Sequence, residues 1–301
     1  MNLSQNARGA LMMTLAMGVF TTNDAFVKMV TPEMNTGQIM FIRGTLTTIM
    51  LVVLARYFGV LNQWRMMFQP KVLLRSVFEI GAAVTYISAL AHIDLAVAAT
   101  ILLSLPLAVT FGAWLFFKEE VGWRRWGAIL VGFLGVIIVL RPGPEAFVPA
   151  SLFAVSAVFF TSGRDLVTKR ITSGTPTLII SLFAGLTNTV VGGALIPVMG
   201  GWNPVTLPAF LHLALAAALI LAGYLAIIMA MRSGEISFVA PFRYTSLIFS
   251  LSLGFYFFGE TPDSYMAIGG SLIVVSGLYA FYREKVRART VAAETLPRTP
   301  Q

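Results

Sequence analysis

The residues able to do chemistry in this chain are the few charged and polar side chains that interrupt its apolar runs. Asp24, Arg43, Glu79, Asp165 and Arg243 each stand inside a hydrophobic stretch. A charge placed there costs at least ~2.5–3.5 kcal/mol unless a partner or a wet cavity meets it. Asp24 and Lys28 are four residues apart, as are Asp165 and Lys169, so each carboxylate can neutralise a lysine on its own helix face. Arg43 and Arg243 have no acidic residue within one turn. Their counter-charge must come from a carboxylate on another helix (Asp24, Glu79 or Asp165), from the mouth of an aqueous cavity, or from an anionic group of a solute. At least one of them is expected to face a central cavity and bind an electronegative part of a small molecule.

Neighbouring residues extend these positions. Asn23 precedes Asp24, and Ser162, Gly163 and Arg164 precede Asp165, so two polar patches arise that either hydrogen-bond adjacent helices or line a pathway. Tyr86 and Tyr244, with Tyr224 and Phe242, offer aromatic surface to a ring-bearing solute, or else pack and anchor at the interface. Pro106 and Pro241 interrupt apolar runs; each frees a carbonyl and permits a kink, which suits a gating helix or a static membrane helix alike. No catalytic constellation and no cofactor motif accompanies them. The chain has no cysteine and two histidines, His92 and His212, far apart in sequence, which leaves neither thiolate chemistry nor a spacing for metal ligands.

The elements that must position these residues follow from composition. Of 301 residues, 57% are hydrophobic and 11% charged, against roughly 25% charged in a soluble domain. At about 20 residues per crossing, this length accommodates about ten spanning helices and no separate soluble domain. Apolar runs bounded by Pro, Gly or charge give spans at 9–30, 36–57, 72–91, 94–117, 123–141, 147–169, 175–199, 208–231, 236–258 and 264–282. Continuous apolar segments such as Ile129–Leu140 lack the alternation of membrane strands, so the fold class is an all-α membrane protein. The net charge of +8 is spread over short connections rather than gathered on one face, so it reports topology and not a nucleic-acid surface. Arg56, Arg65, Lys71 and Arg75 flank the second connection, Lys118, Arg124 and Arg125 the fourth, Lys169 and Arg170 the sixth, and Arg232 the eighth. The odd connections hold almost no basic residue apart from Arg141, which places both termini in the cytoplasm. The tail from 285 to 301, rich in Pro, Thr and Arg from Arg287 onward, is expected to be disordered.

The chain also repeats itself. Asp24-Ala-Phe-Val-Lys28 aligns with Asp165-Leu-Val-Thr-Lys169 at an offset of 141 residues (165 − 24). Phe116-Phe117-Lys118-Glu119 aligns with Phe257-Phe258-Gly259-Glu260, and Ala99 with Ala240, in the same register. Five spans per half is an odd number, so the second half must enter the membrane in the opposite sense. The expected organisation is two inverted five-helix repeats, residues 1–142 and 143–284, followed by a tail at 285–301. Such repeats are the mark of secondary transporters that rock about a midplane site. A membrane enzyme would need clustered acid–base residues, and a channel or helper subunit would not need the repeat.

Several segments carry a resemblance. Leu105-Pro106 through Trp114-Leu115-Phe116-Phe117-Lys118-Glu119-Glu120, then Trp126-Gly127-Ala128 to Gly135, and Phe257-Phe258-Gly259-Glu260 to Gly277, resemble the ten-helix EamA branch of the drug/metabolite transporter superfamily, over residues 8–283. The resemblance implies a bacterial inner-membrane carrier of a small organic metabolite, with a cavity between the halves, working by alternating access. Branch substrates include amino acids and related metabolites, usually exported, and imported compounds such as riboflavin and S-adenosylmethionine. Asn23-Asp24-Ala25 and Ala240-Pro241-Phe242-Arg243-Tyr244 look most like members assigned to vitamin uptake. Family members commonly place a proline some thirteen residues before the helix-end glutamate; Pro106 matches, whereas the second half has Leu247 there. Glu119 and Glu260 are hallmarks whose carboxylates oppose a helix dipole, so a compensating contact and a structural or gating role are expected.

Overall fold

The computed structural model describes residues 4–141, 148–171, 174–233 and 236–295. Every regular element among them is helical. The long helices are α1 (Gln5–Val30), α2 (Thr36–Tyr57), α3 (Pro70–Leu90), α6 (Trp123–Leu140), α7 (Ser151–Thr168), α8 (Thr177–Leu195), α9 (Leu207–Ser233) and α12 (Ser264–Thr295). Shorter ones are α4 (Leu95–Leu102), α5 (Leu105–Phe117), α10 (Ile236–Val239) and α11 (Thr245–Phe258), with 3-10 turns at Leu61–Phe68 and Ala240–Tyr244.

Local chemistry sets the boundaries. The Ser4 hydroxyl accepts from Ala7 N at 3.2 Å and Asn35 Oδ1 from Gln38 N at 2.9 Å, so α1 and α2 begin on side-chain caps. Pro70 opens α3 at a position whose N–H has no helical partner to lose. The apolar run expected as one span at 94–117 is two helices, α4 and α5, separated at Leu103–Ser104, with Pro106 as the second residue of α5. The run at 236–258 is likewise broken: Pro241 is the second residue of the 3-10 turn between α10 and α11. In both places the proline ring occupies a first turn, where its missing N–H does least harm.

Eight stretches are long and apolar enough to cross a membrane, counting Leu95–Phe117 as one. Of the ten expected spans, the two not among them are α7, whose 18 residues include Arg164 and Asp165, and the broken segment at 236–258. Residues 285–295, assigned to a disordered tail, continue α12 as helix; Ala, Arg, Lys and Glu are strong helix formers and follow an apolar helix that is already nucleated. Residues 296–301 lie outside the described residues.

The helices pack in four principal pairs: α1 on α9, α2 on α8, α3 on α7 and α6 on α12. In lipid, close approach of backbones supplies what the hydrophobic effect supplies in water. At the α2–α8 crossing, a Cβ built on Gly44 would lie 2.8 Å from Thr189 Oγ1, and one built on Gly185 would lie 2.8 Å from Thr48 Oγ1. A larger residue at either position would crowd the facing threonine. On α9 the packed face carries Ala209, Leu213, Ala216, Ala217 and Gly223. Facing that last residue, the Phe20 ring of α1 would touch any added Cβ at 2.7 Å.

Candidate functional site

A cavity of about 310 Å³ lies where α1, α2, α3, α7, α9 and the breaks at 103–106 and 240–244 converge. Its wall includes Asn23, Asp24, Arg43, Glu79, Tyr86, Pro106, Arg243 and Tyr244, together with Arg164 and Tyr224. These residues are scattered over more than 200 positions of sequence and share one volume only because the helices pair as they do. The remainder of the wall is mostly aliphatic, as in ligand sites with a small number of placed polar groups.

The polar groups form two networks. In the first, Asp24 accepts on both carboxylate oxygens: Asn23 Nδ2 donates to Oδ1 and Tyr86 OH to Oδ2, each at 2.9 Å. The Asn23 carbonyl oxygen then stands 3.5 Å from Arg43 Nη1, a long contact that brings the guanidinium to the edge of this network. In the second, Glu79 is gripped by two arginines, Arg75 at 3.1 Å from one turn before it on α3 and Arg164 at 3.5 Å from α7. Arg164 also donates through Nε and Nη2 to Asp165 Oδ1, both at 2.9 Å. Shared carboxylates of this kind offset the desolvation of buried charge.

Arg243 belongs to neither network. It lines the cavity from the 3-10 turn, and among the described residues its guanidinium makes no hydrogen bond or ion pair. Beside it the buried Tyr244 hydroxyl also lacks a hydrogen-bond partner. That hydroxyl is packed against Gly277 of α12 rather than presented to the cavity, so the unmet demand for an electronegative group is that of the Arg243 guanidinium.

Several sequence expectations change here. Asp24 does not pair with Lys28, nor Asp165 with Lys169. The polar network draws Asp24 inward to Tyr86, and Lys28 reaches Glu260 at 2.9 Å; Asp165 turns to the adjacent Arg164. Asp165 and Pro241 are not among the cavity's lining residues. Arg75 is not a loop charge, because it sits inside α3 bonded to Glu79. Arg164, in the sequence only one member of the polar patch before Asp165, is the residue that joins Glu79 to Asp165. The i, i+4 spacing of Arg75 and Glu79 is a signal visible in the sequence.

Comparison with known proteins gives this arrangement its family. The model of the EamA-like transporter family matches residues 7–141 and again residues 148–282. The chain belongs to the EamA-like transporter family. Relatives include an S-adenosylmethionine uptake transporter of Rickettsia bellii, 25% identical and covering 88% of this chain and 90% of the relative. The pseudopaline exporter CntI of Pseudomonas aeruginosa is 29% identical, covering 89% and 94%. A riboflavin transporter of Vibrio cholerae is 30% identical over 63% of each chain. A crystal structure superposes with a TM-score of 0.64 at 18% identity, covering 92% of this EamA-family chain and 97% of its own, and supports the fold. The chain is therefore a multi-pass membrane protein of a transporter family whose relatives handle small metabolites.

Proposed function

We propose that this protein is a secondary carrier of the bacterial inner membrane that moves a small organic metabolite by alternating access, with an electronegative group of the solute held by Arg243 and reached by Arg43. The observation that carries this reading is Arg243 in the wall of the cavity, its guanidinium without a hydrogen bond or ion pair among the described residues. A cavity of about 310 Å³ falls at the small end of the ~300–1,000 Å³ range of ligand sites. Tyr86, Tyr224 and Tyr244 give that wall aromatic surface, and Asn23 with Asp24 forms a polar edge beside Arg43.

The two-half organisation, with ten spans and domains at residues 1–142 and 143–284, is part of this proposal. Adding 141 to the bounds of α2 and α6 gives the starts of α8 and α12, and Leu95–Phe117 becomes Ile236–Phe258. The same shift exchanges the α1–α9 and α3–α7 pairs and returns α2–α8 and α6–α12 to themselves, as a twofold axis requires. It also exchanges the Gly44–Thr189 and Gly185–Thr48 contacts, equal at 2.8 Å.

Uptake of a vitamin such as riboflavin is the first substrate reading, in line with the riboflavin transporter relative. Export of amino acids or related metabolites is the second, favoured by the pseudopaline exporter, a relative that covers more of this chain. A thermal-shift screen of riboflavin, S-adenosylmethionine and the amino acids on purified protein tests the class: a ligand at a hundred times its Kd stabilises by about 2.7 kcal/mol. That stabilisation should disappear in Arg243→Ala, and a ligand that stabilises the variant equally contradicts the assignment.

A further inference from the structure

One face of the molecule is closed by a buried lock. Lys28, at the end of α1, places Nζ 2.9 Å from Glu260 Oε1, just beyond α11, with the two side chains 14% and 8% exposed. The same carboxylate accepts from Leu95 N at 3.0 Å and Ala96 N at 3.4 Å, the N–H groups that open α4. Lys28 donates in addition to Ile93 O at 2.5 Å and lies 5.3 Å from the centre of the Phe258 ring. One carboxylate thus ties the ends of three elements, and its charge meets the positive end of the α4 dipole.

The 141-residue offset carries Lys28 to Lys169 and Glu260 to Glu119. These two stand at the ends of α7 and α5 and are exposed, and among the described residues neither side chain makes an ion pair or hydrogen bond. The helix ends themselves are alike. Lys118 and Gly259 both adopt the left-handed conformation, φ 54° and 66°. Glu119 N bonds to Ala113 O as Glu260 N bonds to Gly254 O, at 3.3 and 3.0 Å. The helices packed at the two places are alike, α1 on α11 and α7 on α5, and at the second the Arg170 guanidinium lies 4.1 Å from the centre of the Phe117 ring. The difference is the missing ion pair and the neighbour, since α4 rests on α11 whereas α10 makes no comparable contact with α5 among the described residues.

We infer that Lys28–Glu260 and Lys169–Glu119 are the two alternating locks of the transport cycle, one formed while the other is parted and hydrated. The inference rests on the carrier reading above. Two locks of identical chemistry differ little in free energy, which is what a bistable element needs in order to be switched by a small solute.

The absence of native cysteine makes access to the cavity directly measurable. Ala99, one turn into α4 and in the cavity wall, is replaced by cysteine and exposed to a membrane-impermeant maleimide from the face that bears the α1–α2 connection. Glu260→Gln should raise the labelling rate about tenfold, the population shift expected from losing one charge-assisted contact, and Glu119→Gln should lower it. Lys28→Met, which leaves the cap on α4 in place, carries the same prediction should Glu260→Gln not fold; Lys28→Arg should label as slowly as the parent. Equal rates in all variants, or a shift of the same sign in Glu119→Gln and Glu260→Gln, would overturn the locks. Labelling needs no solute. Switching without flux of any tested solute would therefore sink the carrier reading alone, and saturable flux with unchanged labelling would sink the locks alone.

Discussion

At the scale of single residues, the cavity divides into groups that satisfy one another and groups that wait. Tyr86 belongs to the first kind: its hydroxyl is one of two donors holding Asp24. Tyr86→Phe should cost about 1.5–3 kcal/mol, the range for a hydrogen bond to a charged group, read as a lowered thermal midpoint of the purified protein. Arg243 belongs to the second. Because among the described residues it has no hydrogen-bond or ion-pair partner to leave stranded, Arg243→Ala should keep the parent's thermal midpoint while weakening solute affinity tenfold or more, the loss expected for a charge-assisted contact. Separate measurement of midpoint and affinity checks this split; a destabilised Arg243→Ala with unchanged affinity would make the arginine structural. Intramembrane charge is legible in sequence, because its cost allows so few instances. Asp24, Arg43, Glu79 and Arg243 stand out in the sequence for that reason, and all four line the cavity. Their partners do not stand out, since Asp24 to Tyr86 spans 62 residues and Lys28 to Glu260 spans 232 (260 − 28). Local i, i+4 spacing proposed Lys28 for Asp24, and tertiary packing overrode it.

At the scale of elements, the helices were readable and their interruptions only partly so. The starts of α2, α6, α8 and α12 agree with apolar runs to within two residues. The run from 94 to 117 carries no charge after Asp94 and no glycine before Gly112, so its division into α4 and α5 is marked only by Ser104 and Pro106. Alanines are spread around α9: Ala218 and Ala222 are exposed, whereas Ala209, Ala216, Ala217, Gly223 and Ala230 are buried. Composition marks a smooth helix without saying which side meets a neighbour. The α2–α8 crossing allows a sharper test. Gly44→Val and Gly185→Val should each destabilise by about 1–3 kcal/mol, the usual cost of overpacking, with Gly44→Val the costlier because its Cβ would also meet the Thr189 backbone N at 3.0 Å. Differential scanning fluorimetry in detergent reads both; a large loss in one and none in the other would contradict the symmetry of the crossing.

At the scale of the whole molecule, the offset of 141 residues relates helix bounds, helix pairs, glycine contacts and the two glutamate-ended helices. Orientation adds a prediction of its own. With both termini in the cytoplasm, Lys71→Cys should be protected from an impermeant maleimide in intact cells, and Val198→Cys, at an exposed position after α8, should be labelled; the reverse pattern would invert the topology. The central claim is a carrier whose solute meets Arg243 in a cavity between two halves. Counterflow in proteoliposomes tests it most directly: vesicles loaded with unlabelled riboflavin, S-adenosylmethionine or an amino acid are given the labelled compound outside. Transient accumulation above equilibrium for one of these, saturable in the parent and reduced about tenfold or more in Arg243→Ala at subsaturating solute, is the predicted result. Entry of every tested compound in linear proportion to concentration, without overshoot and unchanged in Arg243→Ala, would contradict it.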